Sequence, residues 1–99
     1  MSVLGKRLKE ARQRKDLSQE KLGVLAGIDE MSASARMNQY ERGKHAPDWL
    51  TVERLAAVLD VPVAYFYAVE DDMAELLIRF HALSTEGRAA LIKHVQGLS

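Results

Sequence analysis

Apolar residues recur every three or four positions along most of this 99-residue chain, the spacing that puts side chains on one face of an α-helix. The first such run spans Val3 to about Lys15, with Ser2 available as a cap. Its buried stripe is Leu4, Leu8 and Ala11. No segment alternates with the period of two that is typical of strands. The pattern therefore predicts an all-α protein.

A second, shorter helix is predicted to begin after Ser18, whose hydroxyl can accept a hydrogen bond from an unpaired backbone N–H at a helix start. It ends at Gly27, because glycine tolerates the left-handed conformation that is common after a last helical turn. Three apolar residues at helical spacing form its inward face: Leu22, Leu25 and Ala26.

A third helix is predicted from about Ser34 to Arg42, with Gly43 ending it. Either Ser32 or Ser34 can serve as its cap. Residues 27–33 then form the turn between the second and third helices.

The outer face of the third helix has an uncommon composition. Met37 and Tyr40, three residues apart, are expected to point inward, and the outward positions are Ser34, Ala35, Arg36, Asn38 and Gln39. A helix face that is exposed only to solvent is usually rich in Glu and Lys. Small and amide-bearing side chains suit a helix that enters a DNA groove and touches base edges.

Helical patterns continue through the second half of the chain. Asp48 is the cap of a fourth helix, from Trp49 to about Leu59, whose apolar face is Val52, Leu55, Ala56 and Leu59. Pro62 suits the first turn of a short fifth helix. From it, the side chains of Val63, Phe66 and Tyr67 are expected to pack into the core.

Two amphipathic helices are predicted after this unit. Glu70, Asp71 and Asp72 bring negative charge to the start of the first, where the helix dipole favours it. Ser84 or Thr85 caps the second, from Glu86 to Gln96. We therefore divide the chain into residues 1–69 and a helical C-terminal extension, residues 70–99.

Charge is distributed unevenly, although the chain is neutral overall. Residues 1–45 contain ten Lys or Arg and six Asp or Glu, a net charge of +4. Residues 46–99 contain four Lys or Arg and eight Asp or Glu, a net charge of −4. The half with the amide-bearing helix thus favours an anionic partner, although ordinary solvated surface explains such a skew equally well.

Composition argues against several other classes of protein. The chain has no cysteine, no apolar run of the ~20 residues that span a bilayer, and no signal-peptide pattern at its charged N-terminus. We therefore expect a cytoplasmic protein without membrane contact. His45, His81 and His94 lack metal-ligand spacing, and no catalytic motif occurs, so we expect no enzyme, no metal and no cofactor.

Two segments together resemble the phage-repressor-like helix-turn-helix family (XRE type). They read LSQEKLGVLAG and MNQYERGKHAPDWLTVERLAAVLDVP, and the resemblance runs from about Leu4 to Phe66. It implies a five-helix domain that binds double-stranded operator DNA, usually as a symmetric dimer. It places Ser34, Ala35 and Gln39 at base edges, with Arg36 and Asn38 beside them.

The resemblance also implies contacts to the DNA backbone. They fall on Gln19, at the start of the second helix, and on Arg42 and Lys44; His45 lies beside these two, and Arg12 is a weaker candidate. Glu41 is expected to pair with a nearby arginine rather than to contact DNA.

This chain departs from the family pattern in two places. Between Gly27 and Tyr40 it has about four residues more than is common, so Asp29 to Ser32 form either an inserted bulge or an extra helical turn. The extension after Tyr67 is not required for DNA binding. It either folds back on the same chain or forms a homodimer.

We therefore predict a sequence-specific DNA-binding regulator of transcription, a repressor rather than an activator, with the third helix in the major groove. The alternative is an antitoxin or adaptor whose main partner is another protein, bound through the C-terminal helices.

Overall fold

The computed structural model describes residues 2–99, within which there are six α-helices, one 3-10 helix and no β-strand. The α-helices are α1 (Val3–Arg14), α2 (Gln19–Leu25), α3 (Glu30–Glu41), α4 (Trp49–Leu59), α5 (Asp71–Ala82) and α6 (Thr85–Gln96). The 3-10 helix, Val63–Tyr67, lies between α4 and α5. The predicted fold class, an all-α five-helix unit followed by two C-terminal helices, is confirmed.

The core lies between α1, α2, α3, α4 and the 3-10 helix. Its least exposed large side chains are Leu8, Leu22, Met37, Val52, Leu55, Leu59, Tyr65 and Phe66. The expectation that Tyr67 packs inward is wrong, since Tyr67 is 53% exposed whereas Tyr65 is 1% exposed. A 3-10 helix has three residues per turn, so Tyr65 shares its inward face with Ala68, which is also buried.

Helix α2 is buried through Leu22, Gly23 and Ala26. The prediction that Leu25 also faces inward is wrong, because half of its surface is exposed. The inward face of α2 is centred between Leu22 and Gly23, and Leu25 lies about a quarter turn or more to one side of it.

Helix α3 begins four residues earlier than predicted. Neither Ser32 nor Ser34 caps it; the Asp29 carboxylate accepts a hydrogen bond from the Met31 backbone N–H at 3.1 Å. Glu30 adds negative charge in the first turn, where the helix dipole favours it. The four extra residues therefore form an added helical turn, and the connection to α2 is short.

Helices α2 and α3 approach each other closely at Gly23. A Cβ atom at this position would lie 2.8 Å from the Cβ of Ala33, which is fully buried. Only glycine allows this distance between the two backbones. Gly27 and Gly43, with φ of 91° and 75°, end α2 and α3 in the left-handed conformation, as the sequence predicts.

Arg7 joins α1 to the chain that enters α5. Its guanidinium donates to the backbone oxygens of Ala68 (2.8 Å) and Val69 (3.1 Å) and pairs with Glu10 and Asp71, both at 3.0 Å. Arg7 is 2% exposed, so its charge is held inside the protein and not on the solvated side of α1. Burial alone would lower the pKa of Arg7, but its hydrogen bonds to Glu10 and Asp71 outweigh burial and raise it. The Arg7 and Lys6 contacts lower the pKa of Asp71.

The two C-terminal helices are only partly packed against this core. Helix α5 buries Ala74 and part of Leu77 and Ile78, whereas α6 has no buried residue. Ser84, one of the two predicted caps, caps α6 by accepting from the Gly87 N–H. Arg88 attaches α6 to the end of α5 by donating to the backbone oxygen of Phe80 at 3.1 Å.

We predict that Gly23→Ala destabilises the protein. The added methyl group overlaps Ala33, and the cost of overpacking exceeds the gain of about 1 kcal/mol in helix propensity. Urea unfolding should show a net loss of about 1–2 kcal/mol. Gly97→Ala, where the nearest atom lies at an ordinary 3.4 Å, is the control and should show no loss. Unchanged stability of Gly23→Ala would contradict the close contact.

Candidate nucleic-acid interface

The outer face of α3 is exposed except at Asn38, which is partly exposed. Met31, Ala35, Asn38 and Arg42 recur at intervals of four, three and four residues, so they share one side of the helix. Gln39 lies beside them and is exposed. Met37, which is fully buried, and Tyr40 hold the opposite side against the core, as the sequence predicts. We use the term reading face for Met31, Ala35, Asn38, Gln39 and Arg42.

The remaining two residues predicted at base edges lie on the flanks of the reading face. Ser34 and Arg36 are both exposed, and each is one residue away from Ala35, about 100° around the helix. They stand at the two sides of the helix, where the walls of a DNA groove would be.

The segment that follows α3 holds three exposed side chains that carry or can carry positive charge, Arg42, Lys44 and His45. Its backbone is fixed to the end of the helix, because the Lys44 N–H donates to the Gln39 carbonyl oxygen at 2.9 Å. The negative end of the helix dipole favours cations at this position. The structure therefore gathers these predicted backbone-contacting residues at one end of the reading face.

Gln19 is the first residue of α2, as the sequence predicts, but its side chain is engaged within the protein. The side-chain amide Nε2 donates to Asn38 Oδ1 at 3.3 Å and to Glu41 Oε1 at 3.2 Å. Both amide hydrogens are thus directed to α3. What Gln19 offers an anion is the backbone N–H of a first helical turn, which has no partner within the helix.

Arg12 is also engaged within the protein. Its Nε and Nη2 donate to the two carboxylate oxygens of Glu41 at 2.6 and 3.1 Å, and its Nη1 donates to the Leu17 carbonyl oxygen at 2.9 Å. The Glu41 side chain is 3% exposed. This two-point ion pair gives Arg12 a structural role, so we no longer consider it a phosphate-contacting residue. The expectation that Glu41 pairs with an arginine is confirmed.

Internal pairing changes the charge that the basic half of the chain presents. Arg7 and Arg12 are neutralised by carboxylates. Arg36, Arg42 and Lys44 stay exposed around the C-terminal half of α3. The first turn of α3 carries Glu30 and follows Asp29, so its charge is negative. Within and around α3, the positive surface is therefore concentrated at the C-terminal end of the helix.

Sequence reasoning missed one residue of the reading face. Met31 was placed in the turn between α2 and α3, whereas it lies in the added first turn of α3 and is 93% exposed. Met31 lies four residues before Ala35, which would place both side chains on one helix face. This spacing indicates a shared face only if the segment between them is helical.

Other features of the described residues suggest no different chemistry. A groove of about 520 Å³ lies between α1 and α5, but its charged side chains are largely paired with one another: Arg7 with Glu10 and Asp71, and Arg79 with Glu75. Residues 2–99 hold no group of three side chains placed to bind a metal ion. None of the helices in that range combines the length and apolar character that crossing a bilayer requires.

Comparison with known proteins relates the chain to a protein family and to a solved structure. The family described as "Helix-turn-helix domain" matches residues 3–65. Among solved structures, the chain is similar to the one titled "Crystal structure of transcriptional regulator BswR", with 51% sequence identity and a TM-score of 0.89 over 95% of this chain and 93% of that chain. Helices α5 and α6 thus lie wholly outside the family match, and most of their residues lie within the structural likeness. No curated protein sequence matches the chain.

We predict that Glu41→Ala destabilises the protein by about 3 kcal/mol, because it leaves the mostly buried Arg12 guanidinium without its carboxylate partner. Unfolding in urea measures the loss. The control is Glu75→Ala, which removes an exposed pair with Arg79 and should cost no more than about 0.5 kcal/mol. Equal and small losses in the two variants would contradict a structural role for the Arg12–Glu41 pair.

Proposed function

The chain belongs to the helix-turn-helix domain family, and we propose that it is a sequence-specific DNA-binding regulator of transcription whose helix α3 enters the major groove. The single observation that carries this proposal is the reading face, whose residues are exposed except for the partly exposed Asn38 and which is bordered by cations at one end. The printed function of the similar structure, a transcriptional regulator, also supports it. We further propose repression, because blocking a promoter requires only binding, and a cytoplasmic location.

The side chains of α3 define which contacts are available. Gln39 can donate to N7 and accept from N6 of adenine, a two-point contact that no other base pair reproduces. Asn38 has its side-chain oxygen bonded to Gln19, which leaves its amide as a donor. Ala35 offers a methyl group, and Ser34 and Arg36 can reach bases or phosphates on either side.

Contacts to the DNA backbone would fix α3 in the groove. We assign them to Arg42, Lys44 and His45 after α3 and to the backbone N–H at Gln19. Phosphate contacts of this kind position a protein without reading sequence, and they make its affinity depend on salt.

The C-terminal extension is proposed as the interface of a homodimer. Exposed apolar side chains lie along both of its helices: Met73, Leu76, Leu83, Ile92, Val95 and, just beyond α6, Leu98. Because α6 buries no residue of its own, the packing of this helix is incomplete in one chain. A two-fold pair of helix-turn-helix units matches the two half-sites of a symmetric operator, which favours a second copy as the occupant.

The same observation supports the alternative function. If a different protein covers α6, the chain is an antitoxin or adaptor, and DNA binding is secondary. The two functions differ in which protein co-purifies with the chain, so the mass of the native complex separates them.

We predict that Gln39→Ala weakens binding to the duplex recovered from a random-sequence selection and relaxes the preference at one base pair by about 1–3 kcal/mol. Titrations with duplexes that vary one base pair at a time measure this at fixed salt. An equal loss on every duplex would contradict base reading by Gln39.

Lys44→Ala should behave differently from Gln39→Ala, because a contact to phosphate does not depend on the base sequence. Affinity should fall by a similar factor on all duplexes, and the slope of log affinity against log salt should decrease by about one unit. Lys93→Ala, on α6, is the matched control and should leave the slope unchanged. An unchanged slope for Lys44→Ala would argue against its phosphate contact.

Light scattering should give a mass near twice the 11.1 kDa of one chain for the purified protein. Ile92→Glu should weaken the dimer by about tenfold or more, because an unpaired carboxylate would be buried in an apolar interface. Gln96→Glu, at an exposed polar position of the same helix, is the control. A monomeric wild-type protein would contradict the homodimer, and a complex with a different protein would favour the alternative function.

A further inference from the structure

Met31 is the most exposed of the large apolar side chains in the part of the chain that the structure describes. It is 93% exposed, compared with 73% for Val69 and 71% for Leu98. A single exposed apolar residue is common on a protein surface, so the exposure of Met31 has meaning only through its position on the reading face.

The turn that carries Met31 is firmly fixed. Its backbone N–H is bonded to the Asp29 carboxylate at 3.1 Å, and the Ser32 N–H donates to the Asp29 carbonyl oxygen at 2.9 Å. Ala33, two residues later, is fully buried against Gly23 of α2. The direction of Met31 is therefore set by packed helix rather than by a frayed end.

Met31 extends the reading face by one turn beyond Ala35. The added turn has no cation, and Asp29 and Glu30 give it negative charge, so it is unsuited to phosphate. The contact that remains available to it on DNA is apolar. In the major groove the C5-methyl group of thymine is the apolar feature among the base edges, and the flexible thioether of methionine adapts to such a group.

We propose that Met31 is a specificity-determining residue that selects thymine by packing against its C5-methyl group, at the end of the half-site away from Arg42. This inference rests on the proposed function. The reading face then has two parts: an apolar part, Met31 and Ala35, that recognises thymine methyl groups, and an amide part, Asn38 and Gln39, that recognises base edges by hydrogen bonds.

Deoxyuridine is the probe, because it pairs as thymine does and lacks only the methyl group. The full-length chain is titrated with the selected duplex and with copies in which each thymine in turn is replaced by deoxyuridine. Wild-type protein should bind about fourfold more weakly when one particular thymine of each half-site is replaced. That factor corresponds to the free energy of burying one methyl group.

Met31→Ala tests whether that loss comes from Met31. This variant should bind the unmodified duplex about fourfold more weakly than wild type and should show no further loss on the deoxyuridine copy. Leu50→Ala removes an exposed apolar side chain from α4, outside both the reading face and the proposed dimer interface, and is the control, which should keep the wild-type response. Urea unfolding of Met31→Ala should match wild type, since the side chain has almost no buried surface.

Three results would overturn the inference while leaving DNA binding intact. They are a selected site without thymine at that position, wild-type affinity unchanged by every deoxyuridine, and a loss in Met31→Ala that is equal on both duplexes. The last would mean that Met31 contacts sugar or another protein. If the chain selects no duplex, the proposed function itself fails, and the inference falls with it.

Discussion

The bidentate pair between Arg12 and Glu41 fixes the orientation of α3, and the rest of the interface depends on it. Arg12 reaches from α1 to the Glu41 carboxylate at 2.6 Å and to the Leu17 carbonyl oxygen before α2. Gln19 adds a third bond to the same carboxylate from α2. Donors from α1 and α2 thus converge on one nearly buried group at the end of α3. The Glu41 carboxylate is 3% exposed, so burying its charge is costly unless donors surround it. Because these donors come from α1 and α2, their bonds set the orientation of α3 relative to those helices.

Apolar packing fixes the other end of α3. Ala33 touches Gly23 so closely that the two helices cannot slide or separate, and Met37 fills the core between these two ends. A helix held at its start, middle and end presents the same outer side chains at all times. Such preorganisation is what direct base reading requires, because each contact depends on placement of a side chain within a fraction of an ångström.

The sequence predicts features that depend on local spacing and misses those that depend on distant partners. The caps Ser18 and Asp48 could be predicted, because the N–H groups that they accept from lie three residues away. The inward pair Met37 and Tyr40 could be predicted from helical spacing alone. The start of α3 could not, since several residues there are adequate caps and the choice depends on packing of Ala33 against α2. The roles of Arg7 and Arg12 could not be predicted for a similar reason: Arg7 bonds to Val69 and Arg12 to Glu41, which lie 62 and 29 residues away along the chain.

The absence of cysteine from the chain permits a direct test of the central claim that the outer side of α3 lies against nucleobases. Ala35→Cys gives a single thiol, which can be labelled with a short aryl azide and photolysed with the selected duplex. We predict crosslinks to bases from this position and none from the matched variant Gln96→Cys on α6. Crosslinks from Gln96→Cys without any from Ala35→Cys would contradict the account.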